Sequence, residues 1–126
     1  MRNKAHILVV AHDQRWREFA AQALRDEGYS VHLCGDTQSA LQDVADDGFD
    51  LIVVDALMAD MLNTLATDPG HHRLLVVTAA QSVPEAILAY RRGALDYVSK
   101  AFDLAGWLAT ISTVLRKKPV QQSLPV

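Results

Sequence analysis

The stretch Asp50-Leu51-Ile52-Val53-Val54-Asp55 decides the fold. Four consecutive apolar residues, three of them β-branched, read as a short strand buried on both faces, because a half-exposed strand would alternate apolar with polar. Asp55 closes the run where such a strand leaves the core. Working outward, His6-Ile7-Leu8-Val9-Val10-Ala11 and Leu74-Leu75-Val76-Val77 repeat the pattern. Two weaker runs, residues 30–34 and 95–99, bring the set to five strands.

The segments between them carry helical spacing. Trp16, Phe19, Ala20, Ala23 and Leu24 share one face, with Asp13 as N-cap and Gly28 as the stop. A second helix over residues 36–47 puts Ala40, Leu41, Val44 and Ala45 on one side. A third, over residues 60–66, is cut short by Asp68-Pro69-Gly70. Ser82-Val83-Pro84-Glu85 has the spacing of a capping box and opens a fourth helix that is expected to bury Ala86, Ile87 and Tyr90 and to stop before Gly93. The last helix starts at Asp103, with Leu104, Trp107, Leu108, Ile111, Val114 and Leu115 as its apolar stripe.

Size and composition narrow the classes. A chain of 126 residues, half of them hydrophobic and with a net charge of −3, matches one ordinary globular domain. The dense basic group is Arg116-Lys117-Lys118, too little for a face that neutralises a nucleic-acid backbone, so no direct nucleic-acid binding is expected. Cys34 is the single cysteine, which excludes an internal disulfide and reads as a small core residue in a cytoplasmic protein. The first apolar run is too short for a membrane span, and no membrane partner is expected. Residues 1–118 read as the domain, and the aperiodic residues 119–126 as a tail or a linker to an output domain.

Strict alternation of strand and helix argues for an α/β, doubly wound parallel sheet, whose functional groups gather beyond the C-terminal strand ends. The first strand leads to Ala11-His12-Asp13, the third ends at Asp55, the fourth leads to Thr78 and the fifth to Lys100. A carboxylate, a hydroxyl and an ammonium therefore converge.

This constellation resembles the response-regulator receiver domains of two-component signalling, over nearly all of residues 5 to 117. The matching residues are Ile7-Leu8-Val9-Val10, Asp50-Leu51-Ile52-Val53-Val54-Asp55, Met58, Thr78-Ala79, and Gly93-Ala94-Leu95-Asp96-Tyr97 followed by Lys100 and Phe102. The resemblance implies a five-stranded sheet of order 2-1-3-4-5 with five helices. It implies Asp55 as phosphoacceptor from a histidine kinase, Lys100 offsetting phosphoryl charge, and Thr78 and Tyr97 as switch residues. The implied metal is Mg2+, held by Asp55, the backbone carbonyl of Leu57 and an acid after the first strand.

At that last place the sequence departs from the pattern. Receiver domains usually carry two adjacent acids where this chain has Ala11 and His12; Asp13 follows one position later. A neutral imidazole is a poor magnesium ligand, so a weak site is expected, the more so if Asp13 caps the first helix. His12 has three readings: ligand to a softer ion, partner of Asp55, or solvated loop residue. His71-His72 sits in a Gly/Pro turn without flanking ligands and reads as no metal site. Ala59 and Ala101 replace two family prolines, and without proline the Lys100-Ala101 bond should be trans or else strained.

Two functions follow. In one, phosphorylation of Asp55 switches a partner surface formed by helix four, strand five and helix five, whose partner is an output domain or effector protein. In the other, the chain is a phosphorylation-independent binding module with Lys100 permanently on Asp55. Dimerisation is open in both. An enzyme is not expected, since no glycine-rich phosphate cradle follows the first strand.

Overall fold

The computed structural model describes residues 5–46, 48–66, 72–101 and 103–117. The elements alternate as expected: β1 (His6–Val10), α1 (Gln14–Asp26), β2 (Ser30–Cys34), α2 (Thr37–Asp46), β3 (Leu51–Asp55), α3 (Ala59–Ala66), β4 (Leu74–Thr78), α4 (Val83–Arg91), β5 (Ala94–Ser99) and α5 (Leu104–Arg116). All strand pairings are parallel and the order is β2-β1-β3-β4-β5. The proposed tail, His71 and the Pro69 break lie outside the described residues.

The unbroken apolar runs have a simple cause, because each strand feeds two cores at once. Leu8, Val10, Ile52, Val54, Leu74 and Val76 point to one layer, with Ala40 of α2, Met61 of α3 and Ala89 of α4. Their neighbours Ile7, Val9, Leu51, Val53, Leu75 and Val77 point to the other, with Leu24 of α1 and Trp107 and Ile111 of α5. Successive strand side chains alternate in direction, so a sheet covered on both faces needs an apolar residue at every position. Each fully buried Leu, Ile or Val contributes about 1.5–3 kcal/mol relative to exposure.

The helices start where the sequence supplies a side-chain acceptor. Asp13 accepts from the N–H of Trp16, Ser82 from Glu85, Asp103 from Gly106, and Asp36 from Ser39. Each such cap is worth about 1 kcal/mol. Gly28 and Gly93 follow α1 and α4 with φ near 95°, the left-handed turn that lets the chain re-enter the sheet.

Several expected core residues face outward instead. On α4 the sheet-facing pair is Ala86 and Ala89, whose small side chains meet the sheet, while Ile87 and Tyr90 are 47% and 48% exposed. The apolar stripe is thus narrower and rotated from the one read off the spacing. Phe19 lies on the flank of the α1 face defined by Ala20, Ala21, Ala23 and Leu24, and is exposed. Leu104, in the first turn of α5, and Ala45, near the end of α2, are also exposed.

Candidate functional site

The parallel register brings the strand ends into line. Asp55 stands beside Val77 on β4, and Thr78 beside Ser99 on β5. The backbone pairing continues one residue further: Ala56 N–H donates to Val77 at 2.8 Å and Lys100 N–H to Thr78 at 2.7 Å. This places Asp55, Thr78 and Lys100 on three adjacent strand ends.

Asp55 is 2% exposed. One carboxylate oxygen accepts from the backbone N–H of Leu57 at 3.0 Å, and the other is ion-paired with the Lys100 ammonium. Such a pair is held in place by its own desolvation, since removing either member strands a buried charge. Lys100 has a second neighbour. Its Nζ lies 5.1 Å from the centroid of the Trp16 ring, within cation–π range. Trp16 in turn meets Trp107 edge to face, with centroids 6.0 Å apart. The first turn of α1 therefore steers the lysine that closes on Asp55.

Thr78 is buried, and its hydroxyl exchanges 3.3 Å contacts with the backbone N–H and carbonyl of Ala80. Tyr97 is buried against α4. Its hydroxyl accepts from the N–H of Ser82 and donates to the Glu85 carboxylate at 2.5 Å. The phenol thus clasps the first turn of α4 to β5. Beside it a groove of about 330 Å³ opens between Ala56, Val76, Ser82, Pro84, Glu85 and Leu88.

The loop after β1 is arranged otherwise. Ala11 is fully buried and its N–H donates to the Cys34 carbonyl of β2 at 3.1 Å. His12 is exposed, as in the solvated reading. Asp13 has an oxygen committed to the Trp16 N–H at 3.2 Å. Leu57 projects its side chain into solvent, 83% exposed. No cis peptide bond occurs among the described residues, so Lys100-Ala101 is trans, as the missing proline requires.

Two residues were not singled out in the sequence. The helical spacing of Trp16 points to the core alone and hides its second role beside Lys100. Arg17 donates from Nη1 to the Ala11 carbonyl at 2.6 Å, and its guanidinium fills the space where a Cβ on Gly35 would stand. A cation thus caps the strand end where the family pattern has acids. A basic residue four positions after the N-cap of α1 was the available signal.

The model of the response regulator receiver domain matches residues 7–112, and the chain belongs to that family. It is 36% identical over 116 residues to the response regulator MprA of Mycobacterium leprae, covering 88% of this chain and 51% of that protein. It is 29% identical over 119 residues to an uncharacterised transcriptional regulatory protein, YkoG, of Bacillus subtilis, covering 90% of this chain and 52% of that one. The chain therefore spans about half the length of these curated relatives. A putative response regulator from Chloroflexus aurantiacus superimposes with a TM-score of 0.84 at 22% identity, over 91% of this chain and all of that one. That likeness shares the fold. Receiver domains generally act as signalling modules phosphorylated by histidine kinases and use magnesium at an acidic pocket. No helix among the described residues is long and apolar enough to cross a membrane.

Proposed function

We propose that the chain is a receiver that accepts a phosphoryl group from a histidine kinase on Asp55, with a weakened magnesium site. The observation that carries this reading is the buried Asp55 carboxylate ion-paired with Lys100 at adjoining strand ends. An aspartate oxygen attacks phosphorus, the donor's leaving group departs with its electron pair, and an acyl phosphate results. Lys100 is positioned to follow the phosphoryl oxygens and offset their charge, and the Leu57 N–H adds a donor. Thr78 would turn from Ala80 to a phosphoryl oxygen.

The residues present fit magnesium poorly. Magnesium favours a near-octahedral shell of oxygens. Here Ala11 and exposed His12 stand at the usual acid positions, and Asp13 is engaged as a cap. Asp55 and the Leu57 carbonyl remain as the residues that would hold the ion, which would offset phosphoryl charge beside Lys100.

The partner surface in this reading is α4, β5 and α5, where it would meet an output domain or effector. Val83, Ile87, Leu88 and Tyr90 are exposed apolar residues on α4, with Arg91 exposed beside them. Loss of the Tyr97 clasp on Ser82 and Glu85 would let the start of α4 shift. A cytoplasmic location belongs to the same reading.

The engagement of Asp13 and the Arg17 cap at Ala11 favour a second reading, a phosphorylation-independent module locked by Lys100 on Asp55. Exposure to a small phosphodonor with magnesium, followed by intact mass measurement, separates the two. The first reading expects one phosphoryl adduct that is absent in Asp55→Asn. No adduct, or one that survives that substitution, overturns it.

A further inference from the structure

On the edge strand β2, two strands from the β3 that carries Asp55, three different metal-ligating side chains meet. His32 and Cys34 are two residues apart on β2, so they project to the same face of the strand. Asp43 reaches them from α2, which packs across that face. Its Oδ2 lies 2.9 Å from His32 Nε2 and 2.9 Å from Cys34 Sγ, and the three ligand atoms all fall within 4.8 Å of one another. Among the described residues, this is the cluster whose His, Cys and acidic groups converge this closely.

The donor set is selective. An imidazole nitrogen, a sulfur and a carboxylate oxygen around one point suit a borderline ion of the zinc kind, while magnesium and calcium prefer oxygen alone. Zinc bonds of about 2.0–2.3 Å at tetrahedral angles separate ligand atoms by roughly 3.3–3.8 Å. The present spacings bracket that range, and Asp43, partly exposed on a helix, needs only side-chain rotation to open its short contacts. Cys34 is anchored in the core and His32 is half exposed, so the cluster has a rigid inner ligand and an outer one that borders solvent.

We propose that His32, Cys34 and Asp43 form a binding site for zinc or a similar transition-metal ion, with the fourth position open to water. Binding expels the thiol proton to solvent, and the resulting thiolate, imidazole and carboxylate take the ion. The site ties the edge strand β2 to α2 and is independent of the Asp55 chemistry.

The test is titration of the purified full chain with Co2+ and then Zn2+. Expected are one equivalent bound, a thiolate-to-cobalt charge-transfer band, its loss on adding zinc, and its persistence in excess magnesium. Cys34→Ser should abolish the band, and His32→Gln and Asp43→Asn should each weaken binding by more than about tenfold, since even an outer-shell partner is worth that much. Asp55→Asn should bind as the unaltered chain does. Circular dichroism identifies any variant that fails to fold; Asp43→Asn, nearly isosteric and on a helix surface, keeps the test decisive. Absence of the band in the unaltered chain, or a metal affinity left unchanged by Cys34→Ser or by Asp43→Asn, overturns the proposal.

Discussion

The Lys100 ammonium rests on a carboxylate oxygen of Asp55, joining the end of β5 to the end of the central strand β3. Asp55 is almost wholly buried and the lysine side chain is 14% exposed, so neither charge has ready recourse to water. The pair is consequently a structural element of the strand ends.

Lys100→Met should therefore destabilise the protein by about 3–5 kcal/mol, the usual consequence of stranding one buried charge. Asp55→Asn should cost less, because an amide can still bond the Leu57 N–H or accept from Lys100. Urea unfolding of the two variants checks the order. Equal stability of Lys100→Met and the unaltered chain would mean that water reaches Asp55 freely.

Trp16 should be energetically coupled to Lys100. In a double-mutant cycle of Trp16→Leu and Lys100→Met, a coupling of about 0.5–2 kcal/mol is expected, the range of a cation–π contact. The Trp107 edge contact is lost in both arms that carry Trp16→Leu and cancels. Strict additivity would reduce the indole to packing.

Restoring the acids tests the metal reading directly. Ala11→Asp with His12→Asp should lower stability without metal, because position 11 is fully buried, and should make melting temperature rise with added magnesium. Phosphodonor labelling of Asp55 should accelerate in parallel. A melting temperature indifferent to magnesium in the double variant would count against the proposed ligand arrangement.

Tyr97→Phe removes the hydroxyl that joins Ser82 and Glu85. The expected loss is about 1–2 kcal/mol, with faster amide exchange in the first turn of α4. Unchanged exchange there would show that the Ser82 and Pro84 start of the helix holds by itself.

Alkaline pH offers a separate probe. Partial desolvation of its half-exposed ring, followed by the Asp96 carboxylate that accepts from its hydroxyl, raises the Tyr90 phenol above its usual 10.0. A raised folded-state value means stability that is complete below pH 10 and declines as pH climbs through the higher folded value. Tyr90→Phe should flatten that decline, as measured by urea unfolding across the alkaline range.

The fold was legible because a doubly covered parallel sheet leaves long apolar signals and the caps Asp13, Ser82 and Asp103 are read from local spacing. The alignment of Asp55, Thr78 and Lys100 followed from topology. What periodicity missed was orientation within a helix: Ala86 and Ala89 have little hydrophobicity to announce them, yet their small size lets α4 sit close, turning Ile87 and Tyr90 outward. The roles of Trp16 and Arg17 were hidden for another reason. Each depends on what lies across the strand ends, the Lys100 ammonium for one and the Ala11 carbonyl for the other, and no spacing along the chain records those meetings.

The strand order has a further bearing on how this chain comes into being. Asp55 belongs to the first half of the sequence, but the cation that neutralises it arrives only with β5. A nascent chain that has emerged only as far as Gly93 holds an apolar central strand ending in an unanswered carboxylate. Parallel pairing cannot form from neighbouring hairpins and must await the distant segment. Docking of β5 is then the event that both completes the sheet and answers the buried charge of Asp55.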